Sequence, residues 1–324
     1  MTEILELPRL VTVFGGSGFL GRYVVRALAK RGYRVRVAVR RPDLSGFLQP
    51  LGNLGQIMAV QANVRVPWSV ERALSGAGQA INLTGVLYES GRQRFDAVHE
   101  TGARAIAEAA RAEGVPMVHV SALGADLDSE SAYALSKARG EAAVFETLPD
   151  AVVFRPSIVF GPEDRFFNRF ANMARFSPVL PLLGGGHTRF QPVYVGDVAE
   201  AIARAVDGSV PTCRVYELGG PEIKSFRECM EEMLQVIERK RLLIPVPWFL
   251  ARLQGAILGL LPNPLLTSDQ VKLLRRDNIV SEAAAREGRS LEGLGIVPTA
   301  TEAILASYLW RFRPAGQFTQ PNAA

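Results

Sequence analysis

The stretch "VFGGSGFLGR", Val13–Arg22, decides the fold. Gly15, Gly18 and Gly21 are spaced G-x-x-G-x-x-G, and Gly16 opens an overlapping G-x-G-x-x-G. Before them "RLVTVFG" is apolar and β-branched, as a buried strand is. After them "GFLGRYVVRALAKRG" places Leu20, Val24, Val25 and Leu28 on one helical face. In such a strand–loop–helix unit the first glycines permit a tight turn and the next lets backbone approach a pyrophosphate. The last lets helix pack close to strand. The helix start then offers free N–H groups and the positive end of its dipole. Gly15, Ser17, Gly18, Phe19, Leu20 and Gly21 are therefore the expected phosphate loop. The alternative is a glycine-rich turn without a ligand, against which the flanking strand and helix both argue.

Working outward, the alternation of strand and helix continues. Gly32 ends the first helix and "YRVRVAVR" is the second strand, followed by the strands "QIMAVQA", "QAINLTG", "MVHVSA" and "AVVFRPS". Between them lie the helices "WSVERALS", "FDAVHETGARAIAEAARAEG" and "AYALSKARGEAAVFETL". This pattern predicts an α/β protein with a Rossmann-type doubly wound parallel sheet, its ligand crevice at the carboxyl ends of the strands. Regular alternation fails after "RPSIVFGPEDR". A Phe-rich helix, "FFNRFANMARF", precedes an expected loop, "SPVLPLLGGGHTRFQP". The alternation returns at "VYVGDVAEAIARAVDG", where Asp197 and Glu200 have capping-box spacing, and at the strand "VYELGG". The remainder reads as mainly helical. The expected division is a dinucleotide-binding domain of residues 1–160 with 191–218, and a smaller, mainly helical C-terminal lobe of residues 161–190 with 219–324. No internal repeat is visible.

Composition narrows the function classes. The 324 residues are 48% hydrophobic and 21% charged, an ordinary globular balance. Net charge is +5, but the cations are scattered, which argues against nucleic acid and leaves acidic lipid or an acidic partner. Two cysteines, Cys213 and Cys229, make no disulfide framework. His99, His119 and His187 stand far apart without neighbouring ligands, so they read as packing or surface residues and no metal site is expected. The N-terminal "MTEILELPRL" has the character of neither a secretory signal nor an Arg-rich transit peptide, so the expected location is cytoplasmic.

The end of the second strand selects the dinucleotide. An acidic residue there would bind the ribose 2′-hydroxyl of NAD, whereas this chain has "AVRRPDL". Arg40 and Arg41 favour a 2′-phosphate, so NADP(H) is expected over NAD, with Asp43 just beyond as the opposing feature. Further on, "SAYALSKARGE" places Tyr133 and Lys137 four residues apart, on one side of a helix. A tyrosine beside an ammonium is expected to ionise more easily and to serve as a general acid and base at a carbonyl receiving hydride. Ser121, after the strand "MVHVSA", is the candidate to orient that carbonyl. The alternative keeps Lys137 only as a holder of the nicotinamide ribose, with Tyr133 packed beside it.

These residues resemble the extended short-chain dehydrogenase/reductase superfamily, in an atypical branch. The resemblance is carried by "GGSGFLG", by Ser121 with "YALSK", and by "FRPSIVFGP", which holds Pro156. It implies that Asn63 and Val64 touch adenine, although the family usually has Asp at the first of these. It also implies that Leu83, Thr84 and Gly85 lie beneath the cofactor. "GPEDRFFNRFANMARFSPVLPL" followed by "QPVYVGDVAEAI" is similar to a narrower family, the NADPH-binding accessory subunits of respiratory complex I (alpha-subcomplex subunit nine). That resemblance implies a tightly held, structural NADPH, complex I subunits and the membrane surface as partners, and a place peripheral to the inner membrane. The short leader implies a bacterial member. A free-standing NADP-dependent reductase or epimerase of a hydrophobic small molecule stays open beside it.

One segment is unusually apolar: "LLIPVPWFLARLQGAILGLLPNPLL", Leu242–Leu266. Its prolines bracket an expected helix of about fourteen residues, short of the ~20 that span a bilayer. It is read either as core of the smaller lobe or as a surface that meets lipid or a partner.

Overall fold

Strand β1 (Leu10–Phe14) lies inside a seven-stranded sheet in the computed structural model, which describes residues 9–259, 261, 262, 264 and 266–316. It is followed by α1 (Phe19–Lys30), β2 (Arg34–Val39), β3 (Ile57–Gln61), α2 (Pro67–Leu74), β4 (Gln79–Asn82) and α3 (Thr101–Glu113). Then come β5 (Met117–Val120), α4 (Ala132–Thr147), β6 (Val152–Pro156), β7 (Val159–Phe160), α5 (Phe167–Phe176) and β8 (Val179–Leu183). Next are β9 (Arg189–Phe190), β10 (Val193–Tyr194), α6 (Val195–Val206), β11 (Arg214–Leu218), β12 (Lys224–Ser225) and α7 (Phe226–Val236). The chain closes with β13 (Leu242–Val246), α8 (Trp248–Leu258), α9 (Ser268–Leu273), α10 (Glu282–Arg286) and α11 (Thr301–Leu309).

The sheet order is β11-β6-β5-β4-β1-β2-β3, with parallel pairing from β6 through to β3. Val11, Val13, Val35, Val37, Ile81, Val118 and Val153 are all buried, as strands covered on both faces require. On one side Ala103, Ala107 and Ala110 of α3 pack with Met117 and Val144. Their small side chains bring helix close to strand. The order of connection reverses between β1 and β4, so a crevice opens where those two strands end.

The chain divides into two compact units. The first holds the residues up to Arg155 together with Val198–Tyr216, and the second holds Pro156–Asp197 and the residues from Glu217 onward. The second unit has its own core, built on Phe160, Phe167, Phe190, Phe226, Met230, Met233 and Leu305.

Three local expectations are corrected. The expected loop after α5 contains β8, which pairs in parallel with β13 from Val179↔Leu242 to Leu183↔Val246. Pro181 and Pro245 disguise both strands, yet Leu180 and Leu182 keep the period of two and are buried. Leu242–Val246 is accordingly a strand, and the helix expected between the prolines follows it as the 11 residues Trp248–Leu258. Finally, α6 begins at Val195, so Asp197 cannot cap it. Its carboxylate instead accepts from the N–H (2.7 Å) and hydroxyl (3.0 Å) of Thr299. Glu200 accepts from the Arg31 guanidinium at 2.7 Å.

Candidate functional site

The glycine loop turns where β1 ends. Gly15 has φ +79°, a conformation that favours glycine, and a Cβ on it would lie 3.1–3.2 Å from the Leu83 carbonyl and the Thr84 nitrogen. The loop and the segment after β4 are thus in contact. A Cβ on Gly21 would fall 2.4 Å from the Gly15 oxygen and 2.6 Å from Gly16 backbone atoms. Gly18 is the N-cap of α1 and has no side chain to close the helix end. The N-terminus beside Ser17, Phe19 and Leu20 is left open, a helix end of the kind at which anions bind.

The other expected cofactor positions fall in four places. Leu83, Thr84 and Gly85 follow β4, and the Thr84 N–H and hydroxyl both donate to Asn82 Oδ1, at 3.0 and 2.5 Å. Asn63 turns the chain after β3, its Oδ1 accepting from Arg65 N–H at 3.2 Å, while Val64 packs against the face of Gly102. Arg40 and Arg41 follow β2 and are exposed. Arg41 is engaged by its own neighbour: Nη2 lies 2.7 Å and Nε 3.0 Å from the two carboxylate oxygens of Asp43. Asp43 therefore holds one of the two guanidiniums expected to select a phosphate. Pro156 ends β6 and is counted with the second unit.

Helix α4 carries the candidate acid–base pair. Ser131 caps it, accepting from the Ala134 N–H, so that Tyr133 stands in the first turn and Lys137 one turn on. Lys137 is 5% exposed, and Nζ makes one hydrogen bond, 3.2 Å to the Val120 carbonyl. Burial lowers its pKa to about 8, with Glu141 opposing the fall. Tyr133 packs edge-on to Phe95 and His99, at ring separations of 5.8 and 5.4 Å. Desolvation pushes the half-buried phenol up to about 12. Ser121 Oγ is buried and has no hydrogen-bond partner among the described residues.

Two histidines that the sequence assigns to packing lie within this cluster. His99 sits in a π-turn, Asp96–Glu100, where the Thr101 N–H reaches back to the Asp96 carbonyl. Its Nε2 accepts from the Val86 N–H at 3.0 Å, and its Nδ1 meets Ser136 Oγ at 2.8 Å. Ser136 donates its own proton to the Tyr133 carbonyl, so Nδ1 carries the imidazole hydrogen. Burial, then Lys137 and His119, hold the His99 pKa at about 2. His119 faces Asn82 across the sheet, and Asn82 Nδ2 reaches its Nδ1 at 3.1 Å. Thr84 fixes the amide oxygen of Asn82, so the amide donates and His119 holds its hydrogen on Nε2. That nitrogen is buried without a partner among the described residues. Burial and Lys137 keep His119 neutral, with a pKa near 3. A polar residue ending an otherwise apolar buried strand, as in "QAIN" and "MVHV", is the sequence signal that would have found Asn82 and His119.

A Cβ on Gly85 would lie 3.4 Å from Lys137 Nζ and 3.7 Å from His99 Nε2, so the segment after β4 closes onto the same cluster. Chemically, this is a single under-bonded cation among neutral imidazoles, beside an open helix N-terminus. The set fits a dinucleotide, with the helix end for its phosphates and the ammonium for sugar hydroxyls.

The family model described as "NAD dependent epimerase/dehydratase family" matches residues 11–219. The chain is 35% identical to the alpha subcomplex subunit 9 of mitochondrial NADH dehydrogenase [ubiquinone] 1 from Arabidopsis thaliana, over 95% of this chain and 79% of that one. It is 34% identical to the rat subunit of the same name, over 94% and 80%. It is also 36% identical to a ceramide reductase of Caulobacter vibrioides, over 74% of each chain. Among solved structures, UDP-glucose 4-epimerase of Thermus thermophilus complexed with NAD superposes at a TM-score of 0.66 and 22% identity, over 94% of this chain and 99% of that one. That likeness bears on the fold alone.

Proposed function

Because the chain belongs to the NAD dependent epimerase/dehydratase family, we propose that it is an NADP(H)-binding accessory subunit of a membrane-associated NADH:ubiquinone oxidoreductase, its cofactor serving mainly as a structural element. Gly15, Ser17, Gly18, Phe19, Leu20 and Gly21 would hold the diphosphate, and Arg40 and Arg41 the 2′-phosphate. Asn63 and Val64 would line the adenine. Leu83, Thr84, Gly85, Tyr133, Lys137 and Pro156 would line the nicotinamide end. The protein would sit on the cytoplasmic side, peripheral to the inner membrane, against subunits of that complex.

One observation carries the structural role. The groups that would move a proton are held back from doing so: desolvation pushes the Tyr133 phenol up to about 12, and the Ser121 hydroxyl is closed away from solvent. A cofactor bound above them would supply the missing partners of Lys137, and its binding energy would add to folding stability. A pull-down from detergent-solubilised membranes tests the reading, with the released nucleotide identified by mass. The oxidoreductase should co-purify, the nucleotide should be NADP(H), and Tyr133→Phe should leave both unchanged. Rapid turnover of NADPH on a small carbonyl compound by the isolated chain would defeat it.

The similarity to a ceramide reductase favours a second reading, an NADP-dependent reductase or epimerase of a hydrophobic small molecule. The nicotinamide, when bound, supplies a hydride. Tyr133 would give its proton to the carbonyl oxygen, Lys137 would hold the ribose and ease that transfer, and Ser121 would orient the oxygen. Tyr133→Phe would then abolish turnover while leaving NADPH binding intact.

A further inference from the structure

Helix α8 is apolar around almost its whole circumference, and only half of that surface is used within the second unit. Arg252 and Gln254 are its only polar side chains. The inward half is fixed tightly. Ala251 is buried in a small cluster with Leu183 and Val271, against which Trp248 packs. A Cβ on Gly184 would fall 2.0 Å from the Trp248 ring, so the indole lies flat on that glycine. A Cβ on Gly255 would meet the Thr267–Ser268 backbone at 3.0 Å.

The outward half has no such neighbours among the described residues. Phe249 is 70% exposed, Leu253 57% and Ile257 60%. Their i, i+4, i+8 spacing aligns them as one stripe, which Leu250 widens and Arg252 and Gln254 border on its two sides. The strand leading into the helix continues the character, since its alternation turns Leu242 and Ile244 outward. A helix that is apolar all round is ordinarily buried or lies in lipid.

Charge identifies the occupant. From Arg239 to Arg276 the chain carries seven cations (Arg239, Lys240, Arg241, Arg252, Lys272, Arg275, Arg276) and one acid, Asp269. The acids just outside this span are taken elsewhere, Glu238 by Arg313 at 3.3 Å and Asp277 by Arg189 at 2.7 Å. Arg239 and Arg241 donate to the carbonyls of Phe312 and Ala174. The Arg239 pKa is lowered by burial and by its like-charged neighbours Arg241 and Arg175, so the cations crowd one another. A second copy of this chain would bring the same seven cations to the contact and be repelled. A convex ridge encloses no small molecule. Among the described residues no helix is long and apolar enough to cross a membrane.

We propose that the outward stripe of α8 lies in the plane of a bilayer surface rich in anionic headgroups, with Phe249, Leu253 and Ile257 among the acyl chains and the exposed Lys240 and Arg252 on the headgroups. This deepens the peripheral placement proposed above and rests on it, but a separate measurement decides it. The full chain is sedimented with vesicles of phosphatidylcholine, alone or mixed with phosphatidylglycerol. It should bind the mixed vesicles and lose binding as salt is raised. The pair Leu253→Glu and Ile257→Glu should weaken binding at least about tenfold, the weight of one leucine withdrawn from an apolar phase. Lys240→Glu with Arg252→Glu should weaken it while steepening no other property, since both side chains are exposed. Equal binding to both vesicle types, no binding to either, or binding indifferent to the variants would overturn the proposal. So would lipid-free dimerisation, followed by analytical ultracentrifugation, that the leucine and isoleucine substitutions abolish. Vesicle binding without co-purification of the oxidoreductase removes the subunit reading and keeps this surface; the converse removes only the surface.

Discussion

The cluster under α4 and the outer face of α8 invert the usual polarity of a protein in opposite senses. The first hides a cation, two imidazoles and a hydroxyl in the interior, with too few partners among them. The second sets three large apolar side chains in water. Each arrangement costs stability in the isolated chain, because a buried polar atom without a partner and a wet leucine are both unfavourable. What differs is the remedy. The cluster lacks hydrogen-bond partners, which a small polar ligand supplies; the helix lacks cover, which only an extended surface supplies. The two defects therefore point to two separate associations.

The comparison can be broken at either end. Gly21→Ala should have the largest effect, since its Cβ would overlap the Gly15 carbonyl: nucleotide binding should vanish by calorimetry and stability should fall by about 3 kcal/mol. Gly140→Ala comes next. Its Cβ would fall 2.1 Å from the His99 carbonyl, and thermal unfolding should show a loss of about 2 kcal/mol as the π-turn before α3 and α4 are forced apart.

Lys137→Met sharpens the comparison, because stability and binding should move in opposite directions. Without nucleotide the variant should be more stable at pH 7 by about 2 kcal/mol, while losing nucleotide affinity. The sign follows from the lowered pKa. Below about 8 the ammonium is charged in both folded and unfolded chains, and its burial cost is fully present. Between about 8 and 10.5 the folded chain sheds the proton first, stability recovers, and the advantage of methionine should shrink. A destabilised apo variant would show that the cluster satisfies itself and needs no ligand. His99 and His119 act in the acid range. Both stay neutral in the fold, so stability should decline as pH falls below 6.5, where the unfolded imidazoles take up protons, and urea midpoints for His119→Gln should decline less. The smallest effect belongs to α8: Leu253→Glu should change stability by less than about 0.5 kcal/mol, because the side chain it replaces touches mainly solvent.

The sheet and the glycine loop were legible because period, length and turn chemistry coincide there. "VFGGSGFLG" follows a β-branched run and precedes a helical one, and the structure places the turn at the same residues. The pair β8 and β13 was hidden by Pro181 and Pro245, which tell against strands unless their missing N–H groups face an unpaired side. The charge states of Tyr133 and Lys137 were not legible, since spacing reports neighbourhood while desolvation sets which form is favoured. His99 was out of reach of pattern reading altogether, because nothing in "FDAVHETGA" announces a widened helical turn.

That widened turn, Asp96–Glu100, makes the edge-on contact of His99 and Tyr133 a matter of chain length more than of residue identity. A π-turn accommodates one residue beyond the ordinary α-helical count. With α3 anchored by its alanines, deleting a single amino acid before Thr101 would swing the upstream side chains by about 100° and carry the imidazole away from the tyrosine. Relatives one residue shorter at this point would therefore have to build the floor of the crevice from a different side chain, however similar the rest of the helix.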